Sequence, residues 1–446
     1  MNSAQPSRGN QAGAGARAAA ARAIDAVAHD GRSLKAVLGE VLPEIPDVRD
    51  RALVEAICFH ALRHLRRYRH ALAQWMDKPL PAREHLVESL LLAGLAQLDA
   101  LALPAHAAVS ATAEAARLLR KPAFVGLVNA LLRRTSREPW PVSDDPAITH
   151  SYPDWLVARL REDWPDDIDE LLAAGNRIAP LWLRVNARLS GRAAYAQLLQ
   201  NADIAAQLPE WPAHALRLDQ GAAPEQLPGW ANGMVSVQDA AAQLAAAALA
   251  PRDGERVLDA CCAPGGKSAA LLEIADIELI ALDNDARRLA RVESALLRLR
   301  LLNRVTPRPI LRAADAGDPG TWWDGKPFDA VMLDAPCSAT GIVRRQPDIK
   351  WHRRESDIVE LNVTQDRLLD ATWRVVRPGG RLLYTTCSIL RAENSRRIAG
   401  FLTRTSDATE IALDAHYGRT AHPGCQRMPG EDGMDGFFYA LLRKAG

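Results

Sequence analysis

From Ala16 to about Arg137, apolar residues recur at the three- and four-residue spacing of helices. The stretch DVRDRALVEAICFHALRHLRRYRHAL, which begins at Asp47, continues this spacing, and no alternating strand pattern interrupts it. The sequence therefore predicts an all-α domain over residues 16–140. The preceding residues 1–15 are predicted to form a disordered tail.

Residues 141–234 have a mixed pattern. A stretch rich in Pro, Ser and Asp, EPWPVSDDPAITHSYPDW, is typical of a linker. A helical segment, PDWLVARLRED, and a strand-like segment, LWLRVNA, follow it, so the pattern predicts a linker and a small α+β module.

From Val235 the pattern changes again. Short apolar runs, RVLDA, ELIALD, DAVMLD and RLLYTTC, alternate with helical segments. This alternation predicts a Rossmann-like α/β domain over residues 235–446, built on a parallel, doubly wound sheet. The run GFFYALLR is predicted to be its last, edge strand.

Composition narrows the class of protein. The 446 residues are too many for one ordinary domain, and 48% apolar with 24% charged residues is typical of soluble globular proteins. A net charge of +1 means that nucleic-acid binding would need local basic patches. No stretch resembles a membrane span, and six cysteines without a CxxC pair indicate reduced thiols, so we expect a cytoplasmic protein.

The segment RVLDACCAPGGKSAALLE (Arg256–Glu273) has the order strand, glycine turn, helix. Gly265 and Gly266 allow the backbone to approach a ligand closely, and the helix start favours a negative group. The turn matches neither GxGxxG nor GxxxxGK[ST], so it predicts a smaller ligand with a carboxylate and no phosphate.

Three acids follow at the ends of the next predicted strands. Asp283 is placed to accept ribose hydroxyls, Asp315 to accept from an adenine amino group, and Asp334 ends the strand after that. A single Asp at a strand end is usually a turn former or helix cap, but an ordered series along one sheet edge is more specific. Ribose, adenine and a carboxylate together indicate S-adenosylmethionine.

Cys337 and Cys387 each follow a predicted strand, and each is followed by serine. Thiols suit methylation of a pyrimidine at carbon 5, because a thiolate that adds to carbon 6 makes carbon 5 nucleophilic. Asp334 could then supply a proton near N3 as a carboxylic acid, if burial raises its pKa. The residues alone do not choose the attacking thiol. A zinc site of Cys261, Cys262, Cys337 and Cys387 matches no common spacing, so no metal is expected.

The motifs DACCAPGGK, DAPCSATG, PDIKW and TTCSI, in this order, resemble those of cytosine-C5 RNA methyltransferases. The likeness is greatest to the bacterial Sun/Fmu (RsmB) type, which acts on 16S ribosomal RNA, and it covers nearly the whole chain. RALVEAICFHALRH and FVGLVNALLRR resemble the NusB-like RNA-binding domain of these enzymes. PLWLRVN resembles their middle module, and DGFFYALL resembles their last strand.

This resemblance implies roles for individual residues. Cys387 would be the nucleophile, and Cys337 would help to release the product. The implied cofactor contacts are Cys261, Cys262, Ala263, Pro264, Gly265, Gly266, Lys267, Asp283, Asp315 and Asp334. Cys262 departs from the family, where alanine is usual. The implied partner is 16S rRNA before or during small-subunit assembly, and we expect a monomer.

Two basic segments are candidates for RNA contact. GIVRRQPDIKWHRRE (Gly341–Glu355) directly follows the Pro-Cys motif, so it should border the mouth of the active site and hold phosphates. Trp351 within it could stack on a base or pack internally. LRHLRRYRH (Leu62–His70) is either an RNA surface or an ordinary solvated helix face.

Two other functions remain open. One is the same chemistry on tRNA, against which only the helical domain argues. The other is an RNA-binding or assembly factor with an inactive methyltransferase fold, against which the intact Cys387, Cys337, Asp334 and glycine turn argue.

Overall fold

The computed structural model describes residues 8–218 and 220–446, which divide into two compact units. Unit 1 comprises the chain up to Asn176 together with Val343–Arg354, and unit 2 comprises Arg177–Ile342 and Glu355–Gly446. Of the predicted disordered tail, residues 1–7 lie outside the described residues, whereas residues 8–15 belong to a helix. None of the helices in the described residues is long and apolar enough to cross a membrane.

Unit 1 is all-α, as predicted. Its helices are α1 (Arg8–Ala28), α2 (Leu34–Val41), α3 (Val48–Arg63), α4 (Leu65–Trp75), α5 (His85–Asp99), α6 (Ala105–Leu118), α7 (Val125–Arg134), α8 (Pro146–Thr149), α9 (Asp154–Asp163), α10 (Ile168–Ala174) and α16 (Ile349–His352). Several alanines of α1, such as Ala20 and Ala23, are completely buried, and α1 packs on α3, α5 and α6. Small side chains allow this close approach of helices, and Leu, Ile and Val of the partner helices fill the core around them.

The predicted linker is more ordered than its composition suggests. Trp140 packs against the core of unit 1, with its ring centroid 5.4 Å from that of Trp75 and 5.7 Å from that of Tyr68. Helices α8 and α9 follow, and α9 contains the segment that the sequence assigns to the α+β module. Both helices belong to unit 1, so the module of unit 2 begins only after Asn176.

Unit 2 begins with the small α+β module. Its elements are β1 (Leu181–Val185), α11 (Arg192–Asn201), β2 (Ala206–Gln207), β3 (Ala215–Leu218) and β4 (Val235–Val237). The strands form an antiparallel sheet in the order β2-β3-β1-β4, with its own small core around Leu183 and Tyr195. Arg184 of β1 forms a buried ion pair of 2.8 Å with Glu273 in the larger domain, which fixes the module to it.

The larger domain of unit 2 contains the predicted parallel sheet. Its elements are α12 (Ala240–Leu249), β5 (Arg256–Asp259), α13 (Gly266–Ile274), β6 (Glu278–Asp283), α14 (Ala286–Arg298), α15 (Leu301–Arg304), β7 (Ile310–Ala313), β8 (Phe328–Asp334), α17 (Glu355–Arg374), β9 (Val376–Thr386), α18 (Ser395–Arg404), β10 (Ala408–Ile411), β11 (Arg419–Thr420), β12 (Cys425–Arg427) and β13 (Phe437–Lys444). The order β11-β12-β13-β9-β8-β5-β6-β7 puts the parallel strands β9, β8, β5, β6 and β7 side by side.

The prediction that β13 is an edge strand is wrong. β13 runs antiparallel between β9 on one side and β12 and β10 on the other. Its residues Phe437–Leu442 are buried, which fits a central strand that is covered on both faces. The continuous apolar run of this segment is the signal of such a strand, and its position near the end of the sequence carries no information about its place in the sheet.

Candidate active site

The carboxyl ends of the parallel strands of unit 2 surround one cleft of about 260 Å³. Parallel strands end at the same edge of a sheet, so residues that follow β5, β6, β7, β8 and β9 come together there. The predicted site residues that line the cleft are Cys261, Ala263, Asp283, Asp315, Asp334, Cys337 and Cys387. The cleft therefore brings both predicted cysteines and the three predicted acids into one site.

Cys337 and Cys387 are neighbours in space. Their Sγ atoms are 3.5 Å apart, although 50 residues separate them in the sequence. The hydrogen bond with Cys387 and burial raise the pKa of the Cys337 thiol well above its ordinary value, and the nearby carboxylate of Glu393 adds to this. Cys337 therefore holds its proton and can donate it towards the sulfur of Cys387.

A glycine makes this approach possible. The Gly341 N–H donates to the carbonyl of Cys387, and the Gly436 N–H donates to the carbonyl of Gly341 at 2.9 Å in each case. A Cβ atom at Gly341 would lie 2.2 Å from the Gly436 oxygen and 2.8 Å from the Cys387 oxygen. The two cysteine loops can be hydrogen-bonded to each other because residue 341 has no side chain.

Lys267 and Asp334 form an ion pair at the cleft, with Nζ 2.7 Å from Oδ2. Burial alone would lower the pKa of Lys267, but the charge and hydrogen bond of Asp334 outweigh it and raise this pKa. The Thr385 hydroxyl donates to the other carboxylate oxygen of Asp334 at 3.2 Å. Lys267 thus stays charged beside Asp334, and proton donation by Asp334 near N3 stays a prediction.

Asp283 and Asp315 lie at the cleft in different surroundings. The carboxylate of Asp283 is buried, and the N–H groups of Ala263 and Asp285 donate to it at 3.3 and 3.0 Å. The exposed Asp315 accepts two hydrogen bonds from Arg367, at 2.8 and 3.2 Å. Burial would raise the pKa of Asp315, but the hydrogen bonds from Arg367 and from the Gly317 N–H outweigh it and lower this pKa. Both residues therefore present carboxylate oxygens to the cleft.

The glycine turn shapes one wall of the cleft. Gly265 has a φ of +99°, and a Cβ there would lie 3.1 Å from the backbone of Val292 in α14. Burial and the nearby carboxylates raise the pKa of Cys261, which keeps it a thiol. Cys262 is not part of the lining, and its buried side chain packs in a hydrophobic cluster.

Three further predicted contacts, Pro264, Gly266 and Lys267, also lie outside the lining, and Lys267 reaches it only through Asp334. Cys262, which stands where the family usually has alanine, acts as a small core residue. A small side chain at this position satisfies the packing.

Asp259, which ends β5, was missed by the sequence reasoning. It is completely buried, its Oδ2 accepts from the Ser268 hydroxyl at 2.5 Å, and its Oδ1 has no hydrogen-bond partner among the described residues. Burial raises the pKa of Asp259 to about 7, and the hydrogen bond from Ser268 offsets part of this effect. The sequence signal for Asp259 was an acid directly after the strand segment RVL. Asp283 and Asp334 occupy the same position at the ends of their own strands.

Part of the basic segment after the Pro-Cys motif is buried rather than exposed as predicted, and phosphate contacts by its other arginines stay a prediction. Within unit 1, Arg344 and Lys350 are 3% and 1% exposed, and the indole N–H of Trp351 donates to the Leu62 carbonyl at 2.7 Å. The Nζ of Lys350 donates to the Arg63 carbonyl and to the Asn176 side chain, both at 3.0 Å. Trp351 therefore packs internally, and the buried side chains of Arg344 and Lys350 cannot reach phosphates.

The basic cluster at residues 62–70 is also largely neutralised. Arg66 pairs with Asp154 at 2.8 Å, Arg67 with Asp99 at 3.0 Å, and Arg69 with Glu88 at 2.8 Å. Arg63 is buried and donates to the Arg344 carbonyl. These contacts hold unit 1 together, and they leave little unpaired positive charge on this part of the helices.

Comparisons with known proteins agree with this architecture. Residues 14–137 match the NusB family, residues 152–224 match the RsmF/B-like ferredoxin-like domain, and residues 246–443 match the 16S rRNA methyltransferase RsmB/F family. The fold is similar to that of PH0851, a crystal structure with 22% identity and a TM-score of 0.77, over 96% of this chain and 99% of that one.

Curated relatives extend over the same length. The chain is 53% identical to ribosomal RNA small subunit methyltransferase B of Xanthomonas campestris, over 97% of this chain and 98% of the relative. It is 43% identical to the protein of the same name in Vibrio vulnificus, over 96% and 99% of the two chains. Since the relatives and the three matched domains together span nearly the whole sequence, the chain belongs to the RsmB/F family of 16S rRNA methyltransferases.

Proposed function

We propose that this protein methylates carbon 5 of a cytosine in 16S rRNA through a covalent bond between a cysteine and carbon 6. The observation that carries the proposal is the pair of thiols, Cys337 and Cys387, 3.5 Å apart at the edge of an acid-lined cleft. Methylation of a ring nitrogen or of a ribose hydroxyl needs no thiol, whereas carbon 5 of cytosine needs activation by addition at carbon 6. The names of the relatives support ribosomal RNA of the small subunit as the substrate.

S-adenosylmethionine is the methyl donor, and the residues of the cleft fit it. Asp283 offers buried carboxylate oxygens for ribose hydroxyls, and Asp315 offers acceptors for an adenine amino group. The Oδ1 of Asp259 has no hydrogen-bond partner among the described residues, so it offers an acceptor for the ammonium group of this cofactor. When bound, S-adenosylmethionine supplies an electrophilic methyl group on a positively charged sulfur.

Cys387 acts as the nucleophile. Its thiolate adds to carbon 6 of the cytosine, the bond between carbons 5 and 6 loses its double-bond character, and negative charge develops towards N3. The ammonium group of Lys267, held at Asp334, is a cationic donor beside the cleft that can stabilise this charge. Carbon 5 becomes nucleophilic in the adduct, which is the state that can accept a methyl group.

Cys337 assists the second half of the reaction. After methylation, a base such as water takes the proton from carbon 5, the electrons of that bond form the double bond again, and the bond between carbon 6 and the sulfur of Cys387 breaks. A Cys337 S–H that donates to the departing sulfur of Cys387 stabilises it as a leaving group, and the raised pKa of Cys337 keeps that proton in place beforehand. The two thiols therefore have different tasks, with Cys387 bonded to the base and Cys337 hydrogen-bonded to Cys387.

The target cytosine must be unpaired or flipped out of a helix, since carbon 6 is inaccessible inside a duplex. The proposal is tested by methyl transfer from labelled S-adenosylmethionine to unmethylated 16S rRNA that is free of ribosomal proteins, with tRNA in parallel. We expect label in 5-methylcytosine of the 16S rRNA. Label only in tRNA would keep the chemistry and overturn the substrate. Absence of label from both, including from partly assembled small subunits, would favour an RNA-binding protein without catalysis.

A further inference from the structure

A completely buried carboxylate, that of Glu393, lies beneath the two cysteine loops of unit 2. Glu393 follows β9 by seven residues, in the turn that leads into α18. The N–H of Ser338 donates to its Oε1 at 2.7 Å, and the hydroxyl of Ser338 donates to its Oε2 at 2.5 Å. Ser338 directly follows Cys337, so one cysteine loop is held by two hydrogen bonds to this carboxylate.

The second cysteine loop is held by the same carboxylate. The hydroxyl of Ser388, which directly follows Cys387, donates to Oε2 of Glu393 at 2.5 Å. The Thr340 hydroxyl lies 3.1 Å from that of Ser388, and the Ile389 N–H donates to the Thr340 oxygen at 3.1 Å. The serine after each cysteine thus has the same function, which is to fasten its loop to Glu393.

A third element fixes the carboxylate itself. Gln365 of α17 is buried, and its Nε2 donates to the Pro336 carbonyl at 2.9 Å and to Oε1 of Glu393 at 3.3 Å. The Tyr384 hydroxyl of β9 donates to the main-chain carbonyl of Glu393 at 2.7 Å. Glu393 is therefore held through both its main chain and its side chain.

A buried charge is a poor means of gaining stability, because its desolvation offsets much of what its hydrogen bonds contribute. Apolar packing would join the two loops at lower cost, but it would not fix their relative register to within a fraction of an ångström. Four donors that converge on two oxygens do fix it. The consequence at the surface of the cleft is the 3.5 Å separation of the two Sγ atoms.

We propose that Glu393 is a positioning residue that holds Cys337 and Cys387 in register, so that the releasing thiol stays within hydrogen-bonding distance of the nucleophile. This inference rests on the proposed function for its catalytic consequence. Without Glu393 the two loops lose the carboxylate to which both of their serines donate, so the step that needs both thiols is affected more than the step that needs one. Release of the methylated base from Cys387 should therefore slow more than formation of the adduct.

The kinetic test compares Glu393→Gln with Glu293→Gln, an exposed glutamate of α14 that serves as the matched control. Single-turnover experiments with 16S rRNA follow the adduct on denaturing gels. In Glu393→Gln we expect release to slow by about 10-fold more than formation, with the KM for S-adenosylmethionine unchanged, since positioning errors act on the reacting step. Equal rates in Glu393→Gln and Glu293→Gln, or equal slowing of both steps, would overturn the inference.

A second readout does not depend on methylation. Phenylarsine oxide bridges two adjacent thiols, forming two arsenic–sulfur bonds and releasing one water, and mass spectrometry of peptides locates the bridge. We expect bridging of Cys337 and Cys387 in the wild type and a rate about 10-fold lower in Glu393→Gln, because the geometry of the pair sets the rate. If bridging is slower in the variant but the wild type methylates no RNA, the positioning role is retained and the proposed function is rejected.

Single hydroxyl deletions cover the case in which Glu393→Gln does not fold. Ser338→Ala and Ser388→Ala each remove one hydroxyl that donates to the carboxylate and leave its charge in place. Each should slow release and arsenical bridging in the same direction, by about 3-fold, because one donor of several is lost. Unchanged bridging and release in both serine variants would overturn the inference.

Discussion

The cleft of unit 2 and the segment Val343–Arg354 of unit 1 each contain a lysine that is withdrawn from water, and the two lysines have opposite properties. Lys267 is paired with a carboxylate, which raises its pKa and keeps it charged. Lys350 donates only to neutral oxygens, and burial lowers its pKa well below the ordinary value of 10.5. The hydrogen-bond partner determines which form of the lysine is favoured. An ammonium group paired with a carboxylate stays charged and can stabilise developing charge, whereas burial among neutral acceptors favours loss of the proton, and the lysine then contributes hydrogen bonds to the fold.

The largest effect on methyl transfer is expected from the thiols of the cleft. Cys387→Ala should lower methyl transfer by at least about 10³-fold, because Cys387 forms the bond to carbon 6 in the proposed mechanism. Binding of S-adenosylmethionine, measured by calorimetry, should stay nearly intact, since the acids that fit the cofactor are unchanged. Full activity of Cys387→Ala would reject Cys387 as the nucleophile.

The paired lysine is the next test. Lys267→Met removes the cation at Asp334 and should lower kcat by about 10²-fold, the size expected for loss of one electrostatic donor. Lys326→Met is the control, because Lys326 is an exposed lysine of the same unit. The measurement is single-turnover methyl transfer at saturating S-adenosylmethionine. If the two variants have the same rate, Lys267 has no part in stabilising charge on the base.

Cys337→Ala tests whether the two thiols have different roles in the reaction. Formation of the adduct should persist, but its release should slow by about 10-fold or more, the lower part of the range for acid–base assistance. A complex of RNA and protein that resists denaturant should therefore accumulate, and it should be absent from a Cys337→Ala, Cys387→Ala double variant. Turnover of Cys337→Ala at the wild-type rate, without such a complex, would contradict the release role.

The cleft could largely be predicted from the sequence, for a topological reason. Parallel strands place their carboxyl ends at one edge, so the residues after DAVMLD and RLLYTT had to meet once the strands were recognised. Pairing of side chains could not be predicted in this way. That Asp334 binds Lys267 and that Glu393 binds two serines depends on turns whose geometry forms only in the packed structure.

The segment Val343–Arg354 shows where sequence reasoning fails. Five of its residues are basic, and a count of charges predicts a solvated, RNA-binding loop. Burial of Lys350 is possible because the Arg63 carbonyl and the Asn176 side chain accept its N–H groups, and both acceptors are far away in the sequence. Tertiary partners of this kind leave no local pattern, so composition alone does not predict that Lys350 is buried.

The smallest effect concerns the pH dependence of stability. The pKa of Lys350 is lower in the folded state than in the unfolded chain. At pH values between these two pKa values, the unfolded chain therefore binds more protons than the folded protein. Stability should therefore rise as pH increases through this window towards 10.5, by at most about 1.4 kcal/mol per pH unit for one proton. The neutral amine has two N–H groups for its two acceptors, so the deprotonated form satisfies the site.

Urea unfolding of the full chain at several pH values between 7 and 10 measures this slope. Lys350→Met has no proton to lose and should show a smaller rise than the wild type, while Lys35→Met, on the exposed face of α2, should follow the wild type. The difference between the two variants isolates the buried lysine, because all other titrating groups are common to both. A slope that is the same in all three proteins would mean that Lys350 keeps its charge when folded, and the contrast with Lys267 would then disappear.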